Sequence, residues 1–431
     1  MKKTLLILLM LSVFPFAARA EEARYGKIVL PNGLTVISVG QEGDLASACL
    51  FVRVKEDGEP AGERGLTGVV NHTLLSCDPL GKGESAVLKI EQLGGFITID
   101  TGKEYTCFTL SVPSSKAGPA IKAFSDIFIS PDFSGTAVSR EKDASAASWL
   151  RRQDKPHEKV CSVLSCGGSG DYSPPDVENI SADAASAWYS KNYRPTGMVL
   201  AVCGPDAAGL SKSAGEAFGR YLPPMPQSAE KGGGVNAAAG KAPADKDTRE
   251  AFALGYPMPD AGSPDYPAML VAKALLASGM GSEMFKCLRG AVAVSYLFGS
   301  AVEYGASGPK LVLYATLPGA ENSATAAANK VQDAVGAVRE GRVAQQDFER
   351  ARAYAEGELL MQESSRSLAR SAGLYQFLGL GPDYGERLTG LVGKTGKKDV
   401  ARAAGRYLVS CGMAKLPMAA DNPDGDSDSA R

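Results

Sequence analysis

Residues 62–85 read GERGLTGVVNHTLLSCDPLGKGES, and they decide how the whole chain is interpreted. Apolar side chains at positions 66, 69, 70 and 74 recur at the spacing of one helix face, which predicts a helix over about 64–77. Asn71 and His72 interrupt this apolar pattern. A polar pair in an otherwise apolar helix marks the first place to look for chemistry.

Composition limits what that chemistry can be. The chain has 431 residues, of which 44% are hydrophobic and 22% charged, values typical of globular proteins, and this length predicts two or three domains. Its formal net charge of −2 excludes the basic field that nucleic-acid binding requires. Only two histidines occur, His72 and His157, so a metal site built from several imidazoles is excluded.

The helix at 64–77 resembles the start of the pitrilysin/insulinase/mitochondrial-processing-peptidase family of zinc peptidases. The helix of that family reads Gly-Leu-x-His-x-x-Glu-His, an inverted zinc motif. The resemblance covers nearly the whole chain after residue 20, because further blocks follow in the family's order. These blocks are LPNGLTV, IEQLGGFI, EYTCFTLSV, SREKDASAASWLRRQDKP, WYSKNYRPTGMVLAVCG and LLASGMGSEMFKCLRGAVAVSYLFGS.

The order of predicted elements indicates two similar halves. Strands followed by helices occur twice, which predicts an α+β protein of two α/β-sandwich domains, insulinase-like and joined by a flexible linker. In the first half, apolar runs on both sides of Asn32-Gly33 predict a hairpin. The predicted divisions are an N-terminal domain at 21–221, a Pro- and Gly-rich linker at 222–248, a C-terminal domain at 249–416 and a disordered acidic tail at 417–431.

The first twenty residues predict a signal peptide. Lys2 and Lys3 precede an apolar run at 4–17, and Ala18-Arg19-Ala20 is a small-x-small cleavage signal. We therefore expect an exported, periplasmic (or secreted) protein without a stable membrane anchor, an uncut signal anchor being the alternative. Eight cysteines would then be in a compartment that permits disulfides, but their spacing does not give a pairing.

The predicted zinc site is degenerate. The resemblance implies zinc ligands at positions 68 and 72, a general base at 71 and a distal ligand at or next to 148. The chain has Gly68, Asn71, His72 and Ser148 there. An Asn amide cannot accept a proton at neutral pH, and one imidazole is too few ligands for zinc. The sequence therefore predicts no catalytic residue and no metal in this chain.

A rebuilt site from other residues is not supported. Four candidate ligands lie near His72 in sequence, and none has helical i±4 spacing to it: Glu63, Cys77, Asp78 and Glu84. The second histidine, His157 in RQDKPHEKV, is predicted to lie in a solvated loop.

The second half retains a different part of the family's chemistry. The resemblance implies that an Arg, and a Tyr seven residues later, reach the peptide backbone near the scissile bond. Arg289 and Tyr296 have this spacing. A guanidinium and a phenol both suit a peptide carbonyl or oxyanion, so we predict a substrate-binding pair. The alternative is a surface Arg and a strand Tyr with no shared task.

A second retained feature is a strand. Residues 96–100 alternate apolar and polar side chains after Gly94-Gly95. The resemblance implies that peptides add to this edge strand through backbone hydrogen bonds. An ordinary sheet strand without a binding role is an equally good interpretation.

These observations favour a non-catalytic, substrate-binding subunit of an exported heterodimeric zinc peptidase. Hydrolysis would be done by a partner of the same family that has an intact H-x-x-E-H motif and carries the zinc. The first alternative is a scaffold or interaction protein with no role in proteolysis. The second is an autonomous peptidase that uses unconventional ligands.

Overall fold

The computed structural model describes most of the chain. The described residues are 24–54, 58–76, 85–102, 104–129, 131–153, 156–165, 176–222, 250–290, 295, 297–305, 308–317, 323–362 and 364–416. The predicted signal peptide, the tail and all of the predicted linker except Leu222 lie outside them. The predicted domain boundaries therefore stay predictions.

The first half contains six strands and seven helices among its described residues. The strands are β1 (Tyr25–Val29), β2 (Thr35–Gly40), β3 (Leu45–Val52), β4 (Phe96–Thr101), β5 (Thr106–Pro113) and β6 (Met198–Gly204). The helices are α1 (Leu66–Ser76), α2 (Ala86–Gln92), α3 (Ala117–Ile129), α4 (Gly135–Gln153), α5 (Pro156–Ser165), α6 (Ala182–Asn192) and α7 (Ala207–Phe218).

The second half contains four strands and seven helices in the part that the structure describes. The strands are β7 (Glu250–Pro257), β8 (Leu297–Gly305), β9 (Gly308–Leu317) and β10 (Gly412–Leu416). The helices are α8 (Tyr266–Ala277), α9 (Glu283–Phe285), α10 (Ser323–Arg339), α11 (Gln345–Leu360), α12 (Ser365–Phe377), α13 (Tyr384–Gly393) and α14 (Lys397–Tyr407). A π-helical segment, Lys286–Gly290, follows α9 directly.

The predicted α+β class is confirmed by the two sheets. The first has the order β1-β2-β6-β3-β5-β4 and the second β10-β7-β9-β8. All pairings are antiparallel except β2 with β6. The predicted hairpin is β1–β2: Gly33 has a φ of +88° in its turn, and the amide of Asn32 donates to the Phe218 carbonyl at 2.8 Å.

One face of each sheet carries the main core of its half. Beneath the first sheet, aromatic residues of α3, β5 and α7 pack edge-on, with Phe108 and Phe128 at 5.0 Å between ring centroids. Beneath the second, α8 supplies an almost continuous buried surface against α10 and α11. These cores hold α1 and the segment after α8 in place, where the sequence predicted functional residues.

The opposite face of each sheet is covered by a helix from the other half. Helix α12 packs Ala369, Ala372 and Phe377 over β2, β3 and β6. Helix α5 packs Val160 and Leu164 over β7, β9 and β10. The two halves are therefore joined by reciprocal burial of apolar surface.

This exchange corrects the prediction for His157. The residue lies in the first turn of α5 instead of a solvated loop, and its ring stacks on Tyr314 of β9 at 5.5 Å between centroids. Its Nδ1 atom is buried. The ring belongs to the contact between α5 and the second sheet.

Gly373 tests how tightly α12 is seated. A Cβ atom built there would lie 2.6 Å from Phe51 Cε2 and 3.0 Å from Ala201 Cβ. We expect Gly373→Ala to lower the free energy of unfolding by about 1–3 kcal/mol through overpacking, although Gly→Ala within a helix ordinarily stabilises. The control is Gly405→Ala in α14, where a Cβ meets nothing within 4 Å. Denaturant midpoints moving the same way in both variants would contradict the tight contact.

Candidate functional site

Helix α1 carries the degenerate motif, and its N-terminus is capped by a carboxylate. The Glu59 oxygens accept from the backbone N–H groups of Gly65 and Thr67, both at 2.7 Å. These donors would otherwise lack partners in the first turn of the helix. Burial raises the pKa of Glu59 above its ordinary value despite these bonds, because a desolvated carboxylate is costly.

Gly68 stands where the motif has its first histidine, and α4 closes the space there. A Cβ atom built on Gly68 would lie 3.1 Å from Ser145 Oγ. Any side chain at this position therefore requires the Ser145 hydroxyl to move by a few tenths of an ångström. Ser148, the predicted distal position, lies further along α4, and its side chain is outside the described part of the structure.

Asn71 stands where the motif has its general base, and its amide is fully engaged. Its Nδ2 donates to Thr101 Oγ1 at 3.1 Å and to Thr106 Oγ1 at 3.3 Å, while its Oδ1 accepts from the Tyr193 hydroxyl. The residue is 2% exposed. Burial also holds the pKa of Tyr193 well above its usual range, so the phenol stays a neutral donor.

Tyr193 itself belongs to a buried tyrosine network that sequence reasoning missed. Its ring stacks on that of Tyr189 at 5.0 Å, and its backbone carbonyl accepts from the Tyr221 hydroxyl. The Tyr189 and Tyr221 hydroxyls lie 2.9 Å apart. Aromatic residues at i and i+4 in YSKNY were the available signal. The network fixes Asn71 from the side opposite the two threonines.

The donor set around α1 does not fit zinc. His72 is partly buried on α1, with Gly68 one turn before it. Among the described residues no three His, Cys, Asp or Glu side chains are grouped so that they could hold a metal ion. Cys77, Asp78 and Glu84 lie outside those residues. A zinc site of ordinary composition needs three protein ligands beside its water.

Arg289 is the last residue but one of the π-helical segment after α9 and is exposed. Ser282 caps α9 by accepting from the Phe285 N–H at 3.3 Å, and Met284 and Leu288 anchor the segment in the core. The Arg289 guanidinium carbon lies 5.8 Å from the Phe285 ring centroid. Tyr296 lies outside the described residues, so the predicted pairing of the two side chains stays a prediction.

Strand β4 is an edge strand, as the resemblance implied, and side chains from the second half reach it. Arg366 of α12 donates to Thr98 Oγ1 at 2.8 Å, and Arg370 forms an ion pair with Asp100. Sequence reasoning missed both arginines. They belong to no motif, and they are separated from β4 by more than half of the chain.

Two family models match the chain in order. "Insulinase (Peptidase family M16)" matches residues 35–164, and "Peptidase M16 inactive domain" matches residues 179–354. The chain belongs to the insulinase family of peptidases. The predicted resemblance is therefore confirmed, and α1 lies within the residues that match the first model. The match to the inactive domain indicates a non-catalytic, metallopeptidase-like protein.

Curated relatives and solved structures agree with this assignment. An uncharacterized zinc protease of Mycobacterium tuberculosis is 24% identical over 67% of this chain and 69% of its own length. Another uncharacterized zinc protease, from Bacillus subtilis, is 21% identical over 79% of this chain and 83% of its own length. A protease from Helicobacter pylori has the same fold, with a TM-score of 0.75, 16% identity and coverage of 91% and 98%. The peptidase M16 inactive domain from Pseudomonas fluorescens has a TM-score of 0.72 and 17% identity, and the match covers 91% of this chain and 97% of that chain.

Restoring the motif tests whether the zinc site is truly closed. We expect the double variant Gly68→His/Asn71→Glu to retain far less than one zinc per chain after gel filtration, measured by atomic absorption. The variant has two imidazoles one turn apart, and the described residues supply no third ligand beside them. The same variant should have a lower unfolding midpoint, because a buried network is broken. Stoichiometric zinc in it would contradict this account.

Glu59 predicts a pH dependence of stability. Its folded-state pKa lies above the unfolded value, so the folded state binds the proton more tightly. Its contribution to stability is complete below the unfolded pKa and is lost as pH rises through the folded pKa. The free energy of unfolding of the wild type relative to Glu59→Gln should therefore fall as pH rises through this window.

The control for this pH series is Glu340→Gln. The hydrogen bond from Arg342 lowers the pKa of this exposed carboxyl, so the corresponding difference must run in the opposite direction. Urea titrations at a series of pH values measure both. Parallel trends in the two variants would contradict the assigned sign.

Proposed function

We propose that this protein is the non-catalytic, substrate-binding subunit of an exported two-chain zinc peptidase. A partner of the same family, with an intact H-x-x-E-H helix, would carry the zinc and hydrolyse the peptide bond. The observation that carries the proposal is Asn71. Its amide sits at the position of the general base, and all of its hydrogen-bonding groups are engaged by Tyr193, Thr101 and Thr106.

Loss of the base without loss of the fold favours a shared reaction. Metal-assisted hydrolysis needs a bound metal to activate water and a group that accepts its proton. Among its described residues, helix α1 offers neither a carboxylate base nor a set of zinc ligands, so in this proposal the partner supplies both. The surrounding peptidase fold nevertheless retains the edge strand β4 and an exposed Arg289.

Arg289 and Tyr296 are the groups that this chain would bring to the shared site. A guanidinium fork and a phenolic hydroxyl can donate to the carbonyl oxygen of a bound peptide, and they donate more strongly once that oxygen becomes an oxyanion. The segment Lys286–Gly290 presents Arg289 at the surface while its neighbour Leu288 is fully buried. A rigidly anchored but exposed arginine suits a substrate that arrives from outside.

Export is part of the proposal. It rests on residues 1–20, where two lysines, an apolar run and a small-x-small site occur in the order of a signal peptide. Within the described ranges, the structure contains no helix with the length and apolar character needed to cross a membrane. We place the mature protein in the periplasm or outside the cell.

Co-expression tests the shared site. The chain would be purified together with an exported family member that has intact H-x-x-E-H, and cleavage of a quenched fluorescent peptide would be measured. We expect Arg289→Ala to lower kcat/KM by about 10²-fold, typical for removal of one oxyanion donor, and Tyr296→Phe to lower it as well. Arg342→Ala, at an exposed arginine of the same half, should leave the rate unchanged.

The outcomes separate the proposed function from its alternatives. An unchanged rate in both site variants, with the complex intact, would leave a scaffold that holds the peptidase subunit without touching substrate. Chelator-sensitive cleavage by the isolated chain would contradict the proposal and support an autonomous peptidase.

A further inference from the structure

The free edge of β4 is the place in the first sheet where an extended chain can add. Among the described residues β4 pairs with β5 alone, in the register Phe96↔Ser111 to Thr101↔Thr106. An edge strand presents a row of backbone N–H and C=O groups to a further strand. Phe96, at its start, is 50% exposed. Six residues offer enough backbone for a short peptide in β conformation.

The side chains of β4 divide between two different environments. Ile97 and Ile99 pack against the core on the α1 side. Thr98 and Asp100 lie on the opposite face, where they meet α12. Because side chains alternate along a strand, a peptide added to β4 would also direct every second side chain to the α12 face.

Two arginines stand on that face with matching spacing. Arg366 and Arg370 are one helical turn apart on α12, a rise of about 6 Å. Every second residue of an extended strand is about 6.8 Å apart, so the two guanidinium groups follow the repeat of the strand. Their bonds to Thr98 and to Asp100 confirm the match, since these residues are themselves two apart.

We propose that Arg366 and Arg370 select extended peptides with acidic side chains at alternate positions, bound along the free edge of β4. This inference rests on the proposed substrate-binding function and names the substrate class of that site. The arginines are specificity-determining residues, because they would contact the peptide's side chains and leave its backbone to β4.

The charge geometry favours a carboxylate over other side chains. A guanidinium has five N–H donors in a planar fork, so one bond to Thr98 or Asp100 uses a small part of its capacity. Arg366 is exposed, and the Arg370 side chain is 34% exposed, so a peptide carboxylate can approach both. In the part of the chain that the structure describes, the ion pair with Asp100 balances the charge of Arg370. Partial exposure also means that the preference must weaken with salt.

The test uses the purified full chain and fluorescein-labelled, unstructured ten-residue peptides, with affinity read by fluorescence anisotropy. One host sequence would carry Glu, Gln or Lys at two positions, i and i+2. We expect the Glu peptide to bind about tenfold more tightly than the Lys peptide at low salt, equivalent to about 1.4 kcal/mol. A peptide with Glu at i and i+1 should bind less tightly, because only one of its carboxylates can face α12.

Variants assign the preference to the two arginines. Arg366→Gln/Arg370→Gln should abolish the preference for Glu over Lys, measured as the ratio of the two peptide affinities within the variant. The matched control, Arg402→Gln/Arg406→Gln, removes two exposed arginines one turn apart on α14 and should keep the preference. Arg366→Glu/Arg370→Glu should reverse it.

Failure of this inference differs from failure of the proposed function. Binding of all peptides with equal affinity, or a preference that survives in Arg366→Gln/Arg370→Gln, would overturn the role of the arginines and leave substrate binding intact. Absence of binding for every peptide would overturn both. Equal affinity of the i,i+2 and i,i+1 peptides would overturn the strand-like register.

Discussion

Each half contributes one helix that covers the sheet of the other half, and the rest of the structure depends on this reciprocal packing. Both faces of each sheet carry apolar side chains that must be buried, and the helices of the same half cover only one face. The other face is closed by α12 over the first sheet and by α5 over the second. Apolar burial of this kind is the main favourable term in folding. Neither half can complete its core without the other.

The same packing determines which side chains border the edge strand β4. Seating α12 on β3 and β6 puts Arg366 and Arg370 beside β4, so the edge strand of the first half is bordered by charges from the second. Arg53 of the first half in turn stacks on Phe377 at the end of α12, 4.3 Å from its ring centroid. The arginines therefore border β4 only while both halves stay in contact.

Sequence reasoning succeeded where the signal was local. Alternation around Asn32-Gly33 predicted the β1–β2 hairpin, and the apolar period of 66–74 predicted α1, because both patterns lie within one element. It missed α5, whose apolar residues pack on strands far along the chain. The N-terminal turn of α5 was interpreted as a loop because its burial comes from Tyr314, far along the chain.

The candidate site divides in the same way. Gly68, Asn71 and His72 lie within one helix, so the resemblance can assign them motif positions from local sequence, and that assignment stays a prediction. Arg366 and Arg370 could not be assigned in this way, because their relevance depends on the register between α12 and β4. Likewise, nothing in the local sequence shows that Ser145 fills the space beside Gly68. Spacing within an element can be read from sequence, whereas contacts between elements cannot.

Asn71 shows why the chain could lose catalysis and keep the edge strand. A catalytic carboxylate at this position would have to remain available to a metal-bound water, and an ionised group kept in a buried site is costly. The amide has no such requirement, and its two donors connect Thr101, the last residue of β4, to Thr106, the first of β5. These threonines are also cross-strand partners. Asn71, at the position where the resemblance implies a general base, therefore fixes the end of β4, the strand to which we assign the peptide.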